Sequence, residues 1–266
     1  MGVSMGCQVL LIMGNVKNES GPWIRRFHPT DDSDATLVCF PHAGGSATYF
    51  FPVSRSLTPG TAVLAVQYPG RQDRRTEEFI DDIGALADAI AEELRPWCDR
   101  PVALFGHSMG AIVAYEVGRR LEATGVSPMG LLASGRRAPA SVGVETVHLR
   151  DDNGIVAALK ELSGTDSAVL GDEELLRMIL PAVRSDYRAV ERYCHQGGPE
   201  LLCPITVLVG ESDPVTSLDQ ARAWREHTTG AYRLEVFSGG HFYLNTQVES
   251  VALTIRRQMG DWLAGS

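Results

Sequence analysis

Gly106-His-Ser108-Met-Gly110 sets a serine between two glycines. The pentapeptide says little alone, because both residue types are common. Here it directly follows an apolar run, Pro101 to Phe105, and directly precedes a helical segment beginning at Ala111. A strand-to-helix turn of this kind forces the serine into a strained backbone, and a side chain at either glycine would collide with neighbouring chain. The turn lifts the Ser108 hydroxyl to the C-terminal edge of a sheet, where open α/β folds bind ligands. The chemistry implied is nucleophilic attack on a carbonyl.

A serine hydroxyl is a poor nucleophile until a base takes its proton. Of seven histidines, His241 is the candidate. It sits in Ser238-Gly-Gly-His241-Phe, after the last apolar run and before the last helical stripe. His107 adjoins Ser108 but, on such a turn, points elsewhere. His42 follows the first run and reads as a loop-shaping or pocket residue that contacts substrate. His28, His148, His195 and His227 have no strand-end position and read as surface groups. The acid that orients the base should also end a strand. Asp213 in Val209-Gly-Glu-Ser-Asp213-Pro does so, and Pro214 biases it away from helix. Glu211 is the nearby rival. Attack on a carbonyl also needs donors for the oxyanion. The backbone N–H of Met109, just after the nucleophile, is one. Ala43 N–H, in Phe40-Pro-His-Ala43-Gly-Gly45, is the other, because glycines let main chain come close to substrate. No G-K-[ST] follows that loop, which argues against a phosphate-binding loop.

These groups need elements to carry them. Ala35–Phe40, Ala62–Tyr68, Pro101–Phe105, Gly130–Ser134 and Ile205–Val209 are near-continuous apolar runs, and Tyr232–Phe237 is a sixth, less apolar one. Such runs suit a parallel sheet covered on both faces. Ile83, Leu86, Ile90 and Leu94 repeat at helical spacing, as do Val248, Val251, Ile255, Met259 and Trp262. Strand and helix in alternation predict βαβ units. From about 141 to 198 the rhythm breaks, with helical pattern and no convincing strand. Leu176, Ile179, Leu180, Val183, Tyr187 and Val190 form one stripe, with Pro181 set to bend it. Two ordinary packing helices would read the same way, but the stripe's length and the missing strand favour a helical lid over the site.

At 266 residues and 44% hydrophobic, the chain fits one large domain over 23–266, preceded by a poorly ordered extension over 1–22. Val9 to Met13 is too short to span a bilayer and has no preceding Lys or Arg, so neither a membrane nor a secretory signal is expected. Met13 is an alternative start. A net charge of −9 gives no footprint for nucleic acid. Five cysteines without C-x-x-C pairing predict reduced, mostly buried thiols in a cytoplasmic protein.

The motifs together resemble the type II thioesterases that accompany polyketide and nonribosomal peptide synthases, of the α/β-hydrolase fold. Beside the serine motif, the likeness rests on Trp23-Ile-Arg-Arg-Phe27, Phe40-Pro-His-Ala-Gly-Gly-Ser46, Tyr68-Pro-Gly-Arg71 and Ser134-Gly-Arg-Arg-Ala-Pro139. Leu162-Ser-Gly-Thr-Asp166, Arg184-Ser-Asp-Tyr187 and Gly239-Gly-His-Phe-Tyr-Leu244 extend it. The resemblance implies a monomer without metal or organic cofactor. It would clear aberrant acyl groups from the phosphopantetheine arm of an acyl or peptidyl carrier protein, through a lid between Ser134 and Ile205. Carrier proteins are usually acidic, so a local basic patch of Arg71, Arg74, Arg75, Arg136 and Arg137 is expected to dock them, unless Arg71 or Arg136 serves an internal salt bridge. A general carboxylester hydrolase and a non-catalytic carrier-binding protein are the alternatives.

Overall fold

A computed structural model describes residues 21–30, 32–141, 143, 145–162 and 172–265. Residues 1–20 of the expected N-terminal extension and residues 163–166 of the Leu162–Asp166 motif lie outside the described residues. Gly21 and Pro22 belong to a turn.

The six apolar runs become strands β2 (Thr36–Phe40), β3 (Ala62–Val66), β4 (Val102–His107), β5 (Gly130–Ser134), β6 (Ile205–Gly210) and β7 (Tyr232–Phe237). Before them comes β1 (Ile24–Arg25), too short to leave a periodic trace in the sequence. The seven form one sheet in the order β1-β3-β2-β4-β5-β6-β7. Only β1 runs antiparallel to its neighbour. β2 to β6 are buried throughout, as continuous apolar runs require, whereas β7 lies at the edge and is only half buried.

Helices α1 (Phe51–Leu57), α2 (Ile83–Leu94), α3 (Met109–Ala123) and α7 (Val248–Ala264) cover the faces. Side chains alternate across a strand, so each strand feeds two cores. Val38, Leu64 and Leu104 pack with Ile90 of α2 and Val113 of α3 on one face. Leu37, Val63 and Phe105 pack with Val53 of α1 and Ile255 of α7 on the other. Asp82 caps α2 by accepting from Ala85 N at 2.8 Å, which sets where that helix begins.

Between β5 and β6 the described residues hold no strand in the sheet. They hold α4 (Asp152–Leu162) and α5 (Glu173–Arg192). α5 passes through Pro181 as one element. Val147, Ile155, Leu159, Leu180 and Val183 close a small core of their own, while Ala189 and Val190 at the far end of α5 join the main core. The short helix α6 (Leu218–Arg222) follows β6, with a capping box between Ser217 and Gln220.

The chain passes from β2 to β3 on one side and later to β4 on the other. The order therefore switches at β2, and loops leaving β2 and β4 open a crevice at their C-terminal ends. The loop after β2 carries Ala43, and the turn after β4 carries Ser108.

Candidate active site

Ser108 lies between β4 and α3 with φ 56° and ψ −120°, a conformation that L-residues rarely adopt. Two close approaches hold it there. A Cβ on Gly106 would lie 2.0 Å from Gly110 O, and one on Gly110 would lie 2.0 Å from Phe40 O. Ser108 N donates to Ser134 O at 2.8 Å, which ties the turn to the neighbouring strand.

His241 follows β7, with its Nε2 3.0 Å from Ser108 Oγ. Its Nδ1 lies 2.9 Å from Asp213 Oδ2. The other carboxylate oxygen of Asp213 accepts from Val215 N at 2.8 Å and Thr216 N at 3.2 Å, so the loop after β6 orients the acid. Both side chains are almost fully buried. Glu211 is exposed and has no part in the contact. Three residues far apart in sequence thus form one connected relay.

Ala43 and Met109 line the same cavity as Ser108 and His241. Neither backbone N–H donates to another group among the described residues. The Met109 N–H is at the N-terminus of a 15-residue helix, where the dipole favours negative charge. The cavity measures about 310 Å³, and Leu159, Leu162, Ile179, Val183 and Val190 of the helical insertion form an apolar wall.

His42 also lines the cavity, with its ring against Tyr49 and Phe242 at 4.5 and 4.8 Å. Its Nδ1 is sealed from solvent without a partner. Burial, helped by the charges of His241 and Arg71, lowers its pKa to about 3. His107 is buried, with Nδ1 2.9 Å from Ser134 Oγ, and burial lowers its pKa well below that of a free imidazole. An unfolded histidine titrates near pH 6.5, so below that pH the unfolded chain takes up protons that these rings refuse. Their contribution to stability is full above about pH 6.5 and falls as the pH drops towards 3. Thermal midpoints measured from pH 7.5 to 4 should therefore decline less in His42→Asn than in the wild type, with His107 retaining part of the slope. Equal declines would contradict a neutral His42.

The expected basic surface patch is not there. Arg71 and Arg136 are buried at 9% and 6% exposure, as are Arg74 and Arg137, which leaves Arg75 alone exposed. Each buried guanidinium has an internal acid. Arg71 pairs with Asp186, Arg74 pairs with Glu77 while lying over Trp23, and Arg136 and Arg137 share Glu145. Arg136 still lines the cavity, and its Nε is buried without a partner. Burial lowers its pKa.

Three histidines expected at the surface are also enclosed. His148 pairs with Glu191, and His195 and His227 gather around Glu200. His195, Glu200 and His227 have the donor set of a metal site. However, Ala140 N donates to His227 Nε2 at 3.4 Å, which leaves Nδ1–H to face Glu200 at 3.2 Å. That tautomer points a proton, not a lone pair, at the would-be ion. Tyr115 Oη already donates to Glu200 at 2.8 Å. The cluster fits a hydrogen-bonded network better than a metal centre. Of the four described cysteines, Cys39 and Cys203 are buried, Cys98 is partly so and Cys194 is exposed, so burial is less general than expected.

Asp186 was not singled out from sequence. Its Oδ2 accepts from Gly44 N at 2.7 Å, in the loop that carries Ala43. The signal was a carboxylate three residues after Val183 and four before Val190, on the apolar face of α5. A charge there has to meet a partner on folding.

Among the described residues no helix is long and apolar enough to cross a membrane. Residues 35–259 match the family model described as a thioesterase domain. The "Probable cadicidin biosynthesis thioesterase" of Streptomyces griseus is 52% identical over 89% of this chain, which spans 66% of that protein. "Thioesterase PikA5" of Streptomyces venezuelae is 50% identical, over 86% of this chain and 82% of its own. Among solved structures, the type II thioesterase BorB from the borrelidin biosynthetic cluster superposes with a TM-score of 0.84. It is 49% identical, over 89% of this chain and 97% of its own. With its seven-stranded sheet, its serine turn and these relatives, the chain belongs to the thioesterase family, as a type II member on the α/β-hydrolase fold.

Proposed function

We propose that this thioesterase clears acyl groups from the phosphopantetheine arm of carrier proteins in a polyketide or nonribosomal peptide synthase, acting in trans in the cytoplasm. The observation that carries the reading is the relay from Asp213 through His241 to Ser108, beside two unengaged N–H groups in an apolar-walled cavity. His241 Nε2 takes the proton of Ser108 as Oγ attacks the thioester carbonyl. Asp213 holds the tautomer and stabilises the imidazolium. The N–H groups of Ala43 and Met109 hold the oxyanion. The leaving thiol has a pKa of about 8.5, so the C–S bond breaks readily, with His241 returning the proton to sulfur. Water then attacks the acyl-serine as His241 accepts its proton, and the imidazolium returns that proton to Ser108 Oγ as the acyl–oxygen bond breaks and the carboxylic acid leaves. The residues supply every proton transfer in this scheme themselves.

The helical insertion serves as the lid of the acyl chamber. Support comes from its separate small core and from the side chains it contributes to the cavity wall. Turnover of an acyl-carrier thioester and of the matching oxygen ester tests the substrate class. Higher kcat/KM on the thioester is expected. A clear preference for the oxygen ester would make the chain a carboxylester hydrolase, and no turnover of either would leave a carrier-binding protein.

A further inference from the structure

The carboxylate of Asp186 comes from α5 in the helical insertion, yet its partners belong to the loops after β2 and β3. Its Oδ2 accepts from Gly44 N at 2.7 Å and from Arg71 Nη1 at 2.6 Å, and its Oδ1 accepts from Arg71 Nη2 at 2.9 Å. Arg71 Nη1 also donates to Gly45 O at 3.2 Å. The pair is buried, at 2% exposure for Asp186 and 9% for Arg71. Desolvating two charges costs about what their attraction returns, so stability alone does not explain such a pair. Its local effect is specific. Gly44 has φ +75°, and two successive glycines give this loop little preference of its own. The ion pair grips the loop at the Gly44 N–H and the Gly45 carbonyl, next to the Ala43 N–H. A second contact joins the same two elements. A Cβ on Gly44 would lie 2.6 Å from Val183 Cγ2, so α5 rests directly on the loop.

We propose that Asp186 and Arg71 are positioning residues through which α5 sets the 43–45 loop, so that seating the insertion and completing the oxyanion hole are one event. The inference rests on the reading of Ala43 N–H as an oxyanion donor. The donor matters most in the transition state, so losing its alignment should lower kcat and spare KM.

The test compares wild type with Arg71→Ala/Asp186→Ala, which leaves no unpaired buried ion, and with Asp186→Asn, which keeps the shape. Two rates are read beside the thermal midpoint: hydrolysis of an acyl-pantetheine thioester and labelling of Ser108 by a fluorophosphonate, whose phosphonyl oxygen needs the same donors. A fall in kcat of about 100-fold is expected for the double variant and about 10-fold for Asp186→Asn, with KM within about threefold and labelling slowed in parallel. A purely structural pair would instead let the double variant recover, once its charges are gone. Folded variants that hydrolyse and label within about threefold of wild type would overturn the proposal. If the double variant does not fold, Asp186→Asn decides by the same criterion. Should the wild type label but hydrolyse no thioester, the substrate reading fails while the labelling comparison still decides this inference.

Discussion

Ser108→Ala is expected to abolish thioester hydrolysis while leaving the protein folded. Removing the nucleophile from a relay of this kind typically costs on the order of 10⁶-fold in kcat. The residue sits at φ 56° whichever of the two side chains it carries, so the strain of the turn is unchanged. The two glycine approaches and the Ser108 N to Ser134 O bond are backbone features and survive the substitution. What is lost is one hydroxyl and its 3.0 Å contact with His241. A midpoint shift of a few degrees at most should follow, since one such hydrogen bond contributes about 1 kcal/mol. The checks are kcat on an acyl-carrier thioester and a melting curve on the same preparation. A folded Ser108→Ala protein within about tenfold of wild-type kcat would exclude Ser108 as nucleophile.

The serine turn was legible because its requirements are local. A Cβ on Gly106 or Gly110 would lie 2.0 Å from a backbone oxygen, so only glycine fits there, and the flanking strand and helix show their own periodicities. The six runs were legible because a sheet buried on both faces leaves no polar alternation to confuse them. Partners across long sequence gaps were harder. Asp186 and Arg71 are 115 residues apart, and each has other acids or bases nearer in sequence. Four of the five arginines that read as a surface patch are buried, because composition shows how many charges a chain has and not which carboxylate each meets on folding. His195 and His227 were misjudged for the same reason. Their neighbours in space are Glu200 and Tyr115, on a connecting segment and on α3, and no periodicity marks a loop that folds over a helix. Even so, the family motifs Tyr68–Arg71 and Arg184–Tyr187 each contained one member of the buried pair. The resemblance carried both residues without showing that they touch.

Asp213→Asn should lower kcat by about 10⁴-fold with little change in stability, whereas Glu211→Gln should leave both unchanged. The large effect follows from hydrogen-bond direction. One oxygen of Asp213 accepts from the N–H groups of Val215 and Thr216. An asparagine in its place must keep its carbonyl oxygen there, because its amide nitrogen cannot accept. The NH₂ group then faces His241 Nδ1, across what is now a 2.9 Å contact. A neutral imidazole meets that donor only by offering the Nδ1 lone pair, which moves its own proton to Nε2. Nε2 is the atom 3.0 Å from Ser108 Oγ, so the serine would face a donor where it needs a base. The side chain keeps its volume and its backbone contacts, which is why the fold should tolerate the change. Glu211 is exposed and lies outside this chain of bonds, so neutralising it removes nothing the imidazole uses. Steady-state kcat for the two variants, with melting curves alongside, separates the assignments. Comparable losses in both would show that the acid had been misassigned, and an Asp213→Asn enzyme within about tenfold of wild type would show that the tautomer is set by something else.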